Sequence, residues 1–161
     1  NGIAVDPSDP QRLYLAIWAR AIPSAADTSS KTRVQKASPD LPNTLNGEGG
    51  GIALSTDGGR NWRWVLERDR HIYDVTFDPR NPSILYAAGF ESSAWISKDR
   101  GEHWNRIPGF NFKWGHRVQP DPEDSGKVYI TTFGGGVWHV SLTDLPNRDI
   151  ATPQLEPGNR P

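Results

Sequence analysis

The sequence has no cysteine, no long apolar run and almost no net charge. Without cysteine, disulfides and thiolate metal sites are excluded, and the redox compartment is left open. No apolar stretch approaches the roughly 18 residues that a membrane helix needs, so we predict no membrane span. A net charge of −1 gives no electrostatic reason to expect a nucleic acid as a partner.

Glycine, proline and tryptophan are the residues that the chain has in quantity. Sixteen Gly and 14 Pro favour short strands joined by turns over long helices. Only 35% of the residues are hydrophobic, but seven Trp bury large areas in few positions. The 161 residues fit one ordinary domain. Because the first residue is Asn1 rather than Met, we expect a processed start or a piece of a longer protein.

A repeat of 42 to 43 residues organises the sequence. The octets STDGGRNW (55–62) and SKDRGEHW (97–104) share the pattern Ser-x-Asp-x-Gly-x-x-Trp. Three further stretches align without gaps: DPSDPQRLY (6–14), DPRNPSILY (78–86) and DPEDSGKVY (121–129). In each, Tyr follows the first Asp by eight positions, and an aromatic residue follows four positions later. Such internal periodicity predicts a repeat architecture.

The second repeat predicts four short strands. Alternation and β-forming residues indicate strands at IYDVTF (72–77), ILYAAGF (84–90), AWIS (94–97) and WNRI (104–107). DPRNPS and DRGEH are predicted turns, because Pro fixes φ and Asp and Asn bond their own backbone. Four antiparallel strands per roughly 40 to 50 residues are typical of a β-propeller blade. The predicted fold class is therefore all-β, with about three propeller blades of four antiparallel strands.

We divide the chain by its repeats. The predicted units are 1–71 (a first blade with a long inserted loop at about 20–50), 72–113 (a second blade), 114–145 (a third, incomplete blade) and 146–161 (a disordered tail). The third unit lacks a predicted fourth strand, because Thr143 stands where the octet's Asp would fall. Closed propellers need about four to eight blades, so the same protein or other chains are expected to supply the remaining blades, in a ring of about seven. Because the octet pattern decays in the last repeat, we predict that the chain is a C-terminal portion. Two accounts of the ring stay open: the last blade takes its outer strand from the N-terminus of a longer propeller, or separate chains complete the ring.

The octet residues are predicted to be structural. An Asp carboxylate can accept backbone hydrogen bonds across the turn, Gly can take positive φ, and Trp can pack over the hairpin. The set comprises Ser55, Asp57, Gly59, Trp62, Ser97, Asp99, Gly101 and Trp104.

This recurring octet resembles the Asp-box, or BNR repeat. The phrase DPRNPSILYAAGFESSAWISKDRGEHW (78–104) and the final TTFGGGVW (131–138) are similar to xyloglucanase-type and bacterial BNR-repeat glycosyl hydrolase-like proteins. The resemblance implies a carbohydrate-active or glycan-binding propeller in an extracellular or periplasmic location. No segment matches either catalytic aspartate of the xyloglucanase-like family, so any glycoside hydrolase pair is expected outside this chain. Arg106-Ile107-Pro108 spells a sialidase tripeptide, but it follows the second octet and receives no role.

Strand alternation sorts the turns into two faces. The DP turns and octet hairpins fall on a lower face, whereas first-strand starts and the connections between second and third strands fall on an upper face. Aromatic rings beside Arg, His and carboxylates suit sugar binding. The predicted ligand-binding residues of the upper face are Trp18, Arg20, His71, Tyr73, Phe90, Glu91, Trp114, His116, Arg117 and Phe133. The alternative is that the rings pack as core between blades and the histidines are merely hydrogen-bonded.

No catalytic residue, metal site or cofactor is assigned from the sequence. The upper-face carboxylates are Asp40, Glu48, Asp69, Asp74 and Glu91, each of which could equally be solvated or ion-paired. No spacing of His, Asp and Glu fits a metal-ligand set, and the Gly134–Gly136 run precedes no predicted helix that could bind phosphate. The alternative function is a non-catalytic scaffold of the sortilin or photosystem-assembly type, with the 20–50 loop binding a protein partner.

Overall fold

The computed structural model describes residues 2–18, 50–66 and 71–143. Strands and turns make up these ranges, and none of the residues in them belongs to a helix that could cross a membrane. The predicted tail at 146–161 lies outside the described residues, as does the predicted loop at 20–50 apart from Gly50.

Eleven strands in the described residues form three antiparallel sheets. The first sheet holds β1 (Ile3–Asp6), β2 (Asp9–Ile17), β3 (Gly51–Ser55) and β4 (Arg63–Leu66), paired in chain order. The second holds β5 (Ile72–Phe77), β6 (Leu85–Gly89), β7 (Ser93–Ser97) and β8 (Asn105–Arg106), also in chain order. The third holds β9 (Gly115–Pro120), β10 (Lys127–Thr132) and β11 (Val137–Ser141). The all-β prediction of four-stranded antiparallel sheets is confirmed.

The sheets pack face to face through two apolar layers. Tyr14 and Leu54 of the first sheet pack in one buried cluster with Val75 and Leu85 of the second. Tyr86 on the opposite face of the second sheet belongs to another cluster, which the third sheet completes. Strand alternation explains this arrangement, because successive side chains point to opposite faces of a sheet.

The outer face of the first sheet has no such cover among the described residues. Ile3, Val75 and Val118 each lie three positions before the Asp of a DP turn, so they are equivalent in the three repeats. Their exposed fractions are 60%, 3% and 1%. The apolar side chain at this position is therefore buried in the second and third sheets and exposed in the first.

Each DP turn is closed by its own aspartate. Asp78 Oδ1 accepts hydrogen bonds from the backbone N–H groups of Arg80 at 2.8 Å and Asn81 at 3.1 Å. Asp121 does the same for the backbone N–H groups of Glu123 and Asp124. Bonds of this kind fix the turns locally, and the hydroxyls of Tyr86 and Tyr129 in the following strands also donate to Asp78 and Asp121.

The two octet hairpins share one hydrogen-bond pattern. In the first, Ser55 Oγ donates to Asp57, the Gly59 N–H donates to Ser55 Oγ at 2.9 Å, and the Trp62 indole donates to the Gly59 carbonyl at 2.9 Å. The same bonds recur in the second hairpin at the equivalent residues, Ser97, Asp99, Gly101 and Trp104. Hydrogen bonds from the Asn61 backbone and side chain lower the pKa of Asp57 to about 2. These bonds account for the octet pattern as a turn.

Candidate functional site

An aromatic cluster spans all three sheets at the edge where second strands end and first strands begin. Trp18 follows β2, Phe90 follows β6 and Phe133 follows β10, so the three equivalent positions lie at the same edge. The backbone N–H of Phe90 donates to the His71 carbonyl at 2.8 Å, and that of Phe133 donates to the Trp114 carbonyl at 3.0 Å. These bonds hold the rings at the upper ends of the strands.

Trp18 connects the first sheet to the second. Its ring centroid lies 4.2 Å from that of His71 and 4.6 Å from that of Tyr73. It also lies 6.2 Å from the Phe90 ring, in a stacked arrangement. The side chains are half-buried, so the rings pack on one another and still reach solvent.

Tyr73 and Phe133 connect the second sheet to the third. Their ring centroids are 4.8 Å apart, and the His116 ring lies 4.9 Å from Phe133 and 5.7 Å from Tyr73. Phe90 stacks on Trp114 at 5.8 Å with an interplanar angle of 10°. Offset and edge contacts at these distances are the favourable arrangements of aromatic pairs. Seven of the predicted residues therefore form one continuous cluster: Trp18, His71, Tyr73, Phe90, Trp114, His116 and Phe133.

An ion pair lies beside the cluster. Arg117 Nε donates to Asp74 Oδ2 at 2.9 Å, joining the third sheet to the second next to His116 and Tyr73 in the chain. The Asp74 side chain is 14% exposed and that of Arg117 is 59% exposed. The guanidinium thus keeps donors in solvent that a polar ligand could reach.

Glu91 lies apart from the ring contacts. Its carboxylate pairs with Lys113 Nζ at 3.4 Å, and its backbone φ is 60°, as the tight connection between β6 and β7 requires. Arg20, the remaining predicted ligand-binding residue, lies outside the described residues, as do the carboxylates of Asp40, Glu48 and Asp69.

Phe112 was missed by the sequence analysis. Its ring lies 5.7 Å from that of Trp114 and stacks on Trp138 at 6.0 Å. The alternating run Phe110-Asn111-Phe112-Lys113-Trp114 was the available signal, since alternation of aromatic residues before a strand favours one shared face. The buried indole N–H of Trp114 has no hydrogen-bond partner in the part of the chain that the structure describes.

The described ranges contain no group of three or more His, Asp or Glu side chains that could hold a metal ion. The scaffold hypothesis based on the 20–50 loop stays a prediction, because that loop is not described beyond Gly50.

Two solved structures share the architecture. One is the GH74 xyloglucanase from Xanthomonas campestris, with a TM-score of 0.55 and 15% identity over 90% of this chain and 23% of that chain. The other is the GH74 enzyme of Niastella koreensis, with a TM-score of 0.54 and 20% identity over 88% of this chain and 20% of that chain. The fold is that of a β-propeller. Its three sheets are blades.

Two curated proteins are similar to this chain in sequence. No family model matches the chain. It is 28% identical over 188 aligned positions to the oligoxyloglucan-reducing end-specific xyloglucanase of Emericella nidulans. It is 22% identical over 187 positions to a probable enzyme of the same description from Neosartorya fischeri. Both alignments take in 91% of this chain and 23% of the relative, so the chain spans less than a quarter of the relatives' length.

Proposed function

We propose that the upper-face aromatic cluster binds a carbohydrate. Three blades contribute half-buried rings to one surface, and this continuity carries the proposal. A sugar ring presents C–H groups on its faces and hydroxyls on its rim, so it can stack on aromatic rings while polar groups take the hydroxyls. His116, whose ring contacts Phe133, and the neighbouring Arg117 are both exposed and supply polar groups of this kind.

Similarity to one xyloglucanase and one probable xyloglucanase supports xyloglucan oligosaccharides as the first ligand to try. We infer that this chain belongs to an Asp-box propeller that acts outside the cytoplasm. The hydrogen bonds within its two described octets support a structural role for them as turns. Hydrolysis would need a carboxyl pair about 5 to 10 Å apart, and we place that pair in sequence outside this chain.

Isothermal titration with xyloglucan oligosaccharides tests the proposal, with cello-oligosaccharides as a second ligand series. Tyr73→Ala and Phe133→Ala should each weaken binding by about tenfold, since each removes a stacking surface worth about 1 kcal/mol or more. The matched control is Tyr129→Ala, because Tyr129 is an exposed aromatic that stacks on His139 outside the cluster. Thermal unfolding of each variant separates loss of binding from loss of folding.

Two results would overturn the proposal. One is the absence of binding to both oligosaccharide series and to a broad glycan array by the folded protein. The other is equal loss of affinity in the Tyr129→Ala control, which would indicate a general destabilisation rather than a contact.

A further inference from the structure

A strained turn follows Phe90, the ring at the centre of the aromatic cluster. In this turn, which leads from β6 into β7, Glu91 and Ser93 have φ values of 60° and 64°. Residues other than glycine rarely adopt this left-handed conformation, because their Cβ crowds the backbone. Ser92 and Ser93 are both 2% exposed, so the turn is also buried. Because Phe90 directly precedes the turn, the conformation of the turn sets where the Phe90 ring lies.

The third blade forms the same turn with glycine. Gly134 and Gly136 hold the positions equivalent to Glu91 and Ser93, and their φ values are 87° and 72°. Glycine has no Cβ, so it adopts these angles without strain. The second blade therefore forms with Glu and Ser a turn that the third blade forms with Gly. Additional contacts are needed to hold the strained version in place.

Two side chains donate to the middle carbonyl of the strained turn. The Trp95 indole donates to the Ser92 carbonyl at 2.8 Å, as the equivalent Trp138 indole donates to the Gly135 carbonyl at 3.2 Å. Arg106 Nη1 adds a second hydrogen bond to the Ser92 carbonyl, at 2.9 Å. A carbonyl oxygen has two lone pairs and can accept both bonds. The guanidinium bond is the stronger kind, because its donor is charged.

Arg106 is held in this position by Trp95. The two residues lie opposite each other in the pairing of β8 with β7. The Arg106 Cζ lies 4.6 Å from the centroid of the Trp95 ring, which is a favourable cation–π distance. The Arg106 side chain is half-buried. The fourth strand of the second blade is thus connected through one guanidinium to the turn that carries Phe90.

We propose that Arg106 is a positioning residue of the upper-face aromatic cluster. Its guanidinium holds the Ser92 carbonyl and keeps the strained turn in its left-handed conformation. The Phe90 ring is thereby fixed in its stacks with Trp18 and Trp114. Strained backbone persists where surrounding contacts enforce it, and it is typical of ligand sites. The inference rests on the proposed carbohydrate site, to which it adds a residue that acts through Phe90 rather than on the ligand.

Hydrogen exchange of the intact protein tests the turn without any ligand. In Arg106→Ala, the amides of residues 90–93 should exchange about tenfold faster than in wild type, because the turn loses a charge-assisted hydrogen bond and opens more often. The equivalent amides at 133–136 are the internal reference and should not change. Arg80→Ala is the matched control, because Arg80 also donates to backbone carbonyls, those of Asp121 and Glu123, both at 2.9 Å, but in the DP turns of the lower face. It should leave exchange at 90–93 unchanged.

Two further variants test the strain and the guanidinium separately. Glu91→Gly added to Arg106→Ala should return exchange at 90–93 to within about threefold of wild type, because Gly adopts this φ without strain. Arg106→Lys keeps a charged donor but loses the planar stack on Trp95, so its exchange should lie between that of wild type and that of Arg106→Ala. Thermal unfolding shows whether each variant is folded.

Isothermal titration with xyloglucan oligosaccharides connects the turn to the binding site. Arg106→Ala should weaken binding about fivefold, because the ligand then has to order the Phe90 ring as it binds. Arg80→Ala should bind as wild type does. Addition of Glu91→Gly to Arg106→Ala should restore most of the lost affinity.

The possible failures of the proposal are distinguishable. Wild-type exchange at 90–93 in Arg106→Ala would overturn the role of the guanidinium in the turn. Equally fast exchange with and without Glu91→Gly would show that strain is not what Arg106 holds. Faster exchange with unchanged affinity would overturn the positioning role and leave the carbohydrate site standing. If the wild-type protein bound no oligosaccharide, the proposed function would fall, and the exchange rates would still decide whether Arg106 holds the turn.

Discussion

Arg117 of the third blade donates from Nε to Asp74 of the second blade, and the two residues hold equivalent positions in their repeats. Each lies four positions before the Asp of a DP turn. In the first repeat the same position is Gly2, where an added Cβ would meet Asp74 Oδ1 at 2.5 Å. The same position of the first strand is thus Gly, Asp and Arg in the three repeats. The opposite charges of Asp74 and Arg117 join the second and third blades beside the aromatic cluster.

This ion pair should contribute modestly to stability. A double-mutant cycle with Asp74→Asn and Arg117→Gln is expected to give a coupling free energy of about 0.5 to 1 kcal/mol, because the Arg117 side chain is 59% exposed and solvent screens the pair. Chemical unfolding at low salt measures the coupling. The value should fall in about 1 M NaCl, and a coupling that ignored salt would contradict a solvent-screened interaction.

The glycines of the two octets should differ in their tolerance of alanine. Gly59 and Gly101 have positive φ values of 89° and 79°, so alanine is strained at both. An added Cβ at Gly59 meets only Trp62 at 3.6 Å, whereas one at Gly101 meets the buried Tyr14 ring of the neighbouring blade at 2.5 Å. We expect Gly59→Ala to cost about 1 kcal/mol and Gly101→Ala about 2 to 4 kcal/mol in free energy of unfolding. If denaturant titrations gave equal losses of unfolding free energy for the two variants, the contact between Gly101 and Tyr14 would have to adjust at no cost, which would contradict the prediction.

The strands of the second repeat could be predicted closely from sequence. The segment predicted at 72–77 is Ile72–Phe77 in the structure, because alternation and turn residues are strong local signals. The fourth strand is shorter than predicted and spans Asn105–Arg106, with one further backbone hydrogen bond from Ile107 to Ala94 of β7. Trp104, which was predicted to begin this strand, lies in the hairpin, where its indole N–H donates to the Gly101 carbonyl.

In the third repeat, the residue aligned with the octet Ser differs between the sequence alignment and the structure. Leu85 and Val128 hold equivalent positions, one before the Tyr of their repeats. Leu85 pairs with Ser97, whereas Val128 pairs with Val140. Ser141 therefore lies one position beyond the residue that is equivalent to Ser97. No extra residue lies between the two strands, because Leu85 pairs with Ser97 and Val128 with Val140 at the same spacing, so Val140 rather than Ser141 holds the position of the octet's Ser. Spacing between Tyr129 and Ser141 is 12 positions, against 11 between Tyr86 and Ser97, so the offset was countable.

The repeat in the sequence predicted which residues lie at the edge of the aromatic cluster, but it did not predict how their rings contact one another. Equivalent residues end at the same edge of their sheets, which brings Trp18, Phe90 and Phe133 together. The stacking of Phe90 on Trp114 depends on side-chain rotamers and on packing between blades, which a one-dimensional pattern does not contain.

Tyr86 should make the protein sensitive to alkali. Burial raises the pKa of the Tyr86 hydroxyl, and the neighbouring Asp78, to which it donates at 3.3 Å, raises it further. A raised pKa in the folded state means that the stabilisation is complete below the unfolded value of about 10 and is lost as pH rises above it. Tyr86→Phe should therefore cost about 1 kcal/mol near neutral pH and flatten the fall in stability above about pH 10.

Denaturant midpoints of the wild-type protein and of Tyr86→Phe between about pH 7 and pH 11 measure this effect. Tyr129→Phe is the matched control, because Tyr129 donates to the equivalent Asp121 but is 38% exposed. Parallel pH profiles for wild type and Tyr86→Phe would contradict the prediction.

Asp57 should make the first octet turn sensitive to acid. The backbone N–H of Asn61 and then its side-chain amide donate to this carboxylate, and they lower its pKa from 3.8 to about 2. A lowered pKa in the folded state means that its stabilisation is complete above the unfolded value and disappears as pH falls through about 2. Wild type should therefore be more stable than Asp57→Asn near pH 6, and the difference should shrink between about pH 4 and pH 2. Thermal unfolding across this range measures the difference, and carbon NMR of the carboxyl group gives its midpoint directly. A difference between the two proteins that stayed constant down to the lowest pH would mean that the turn does not depend on the charge of Asp57.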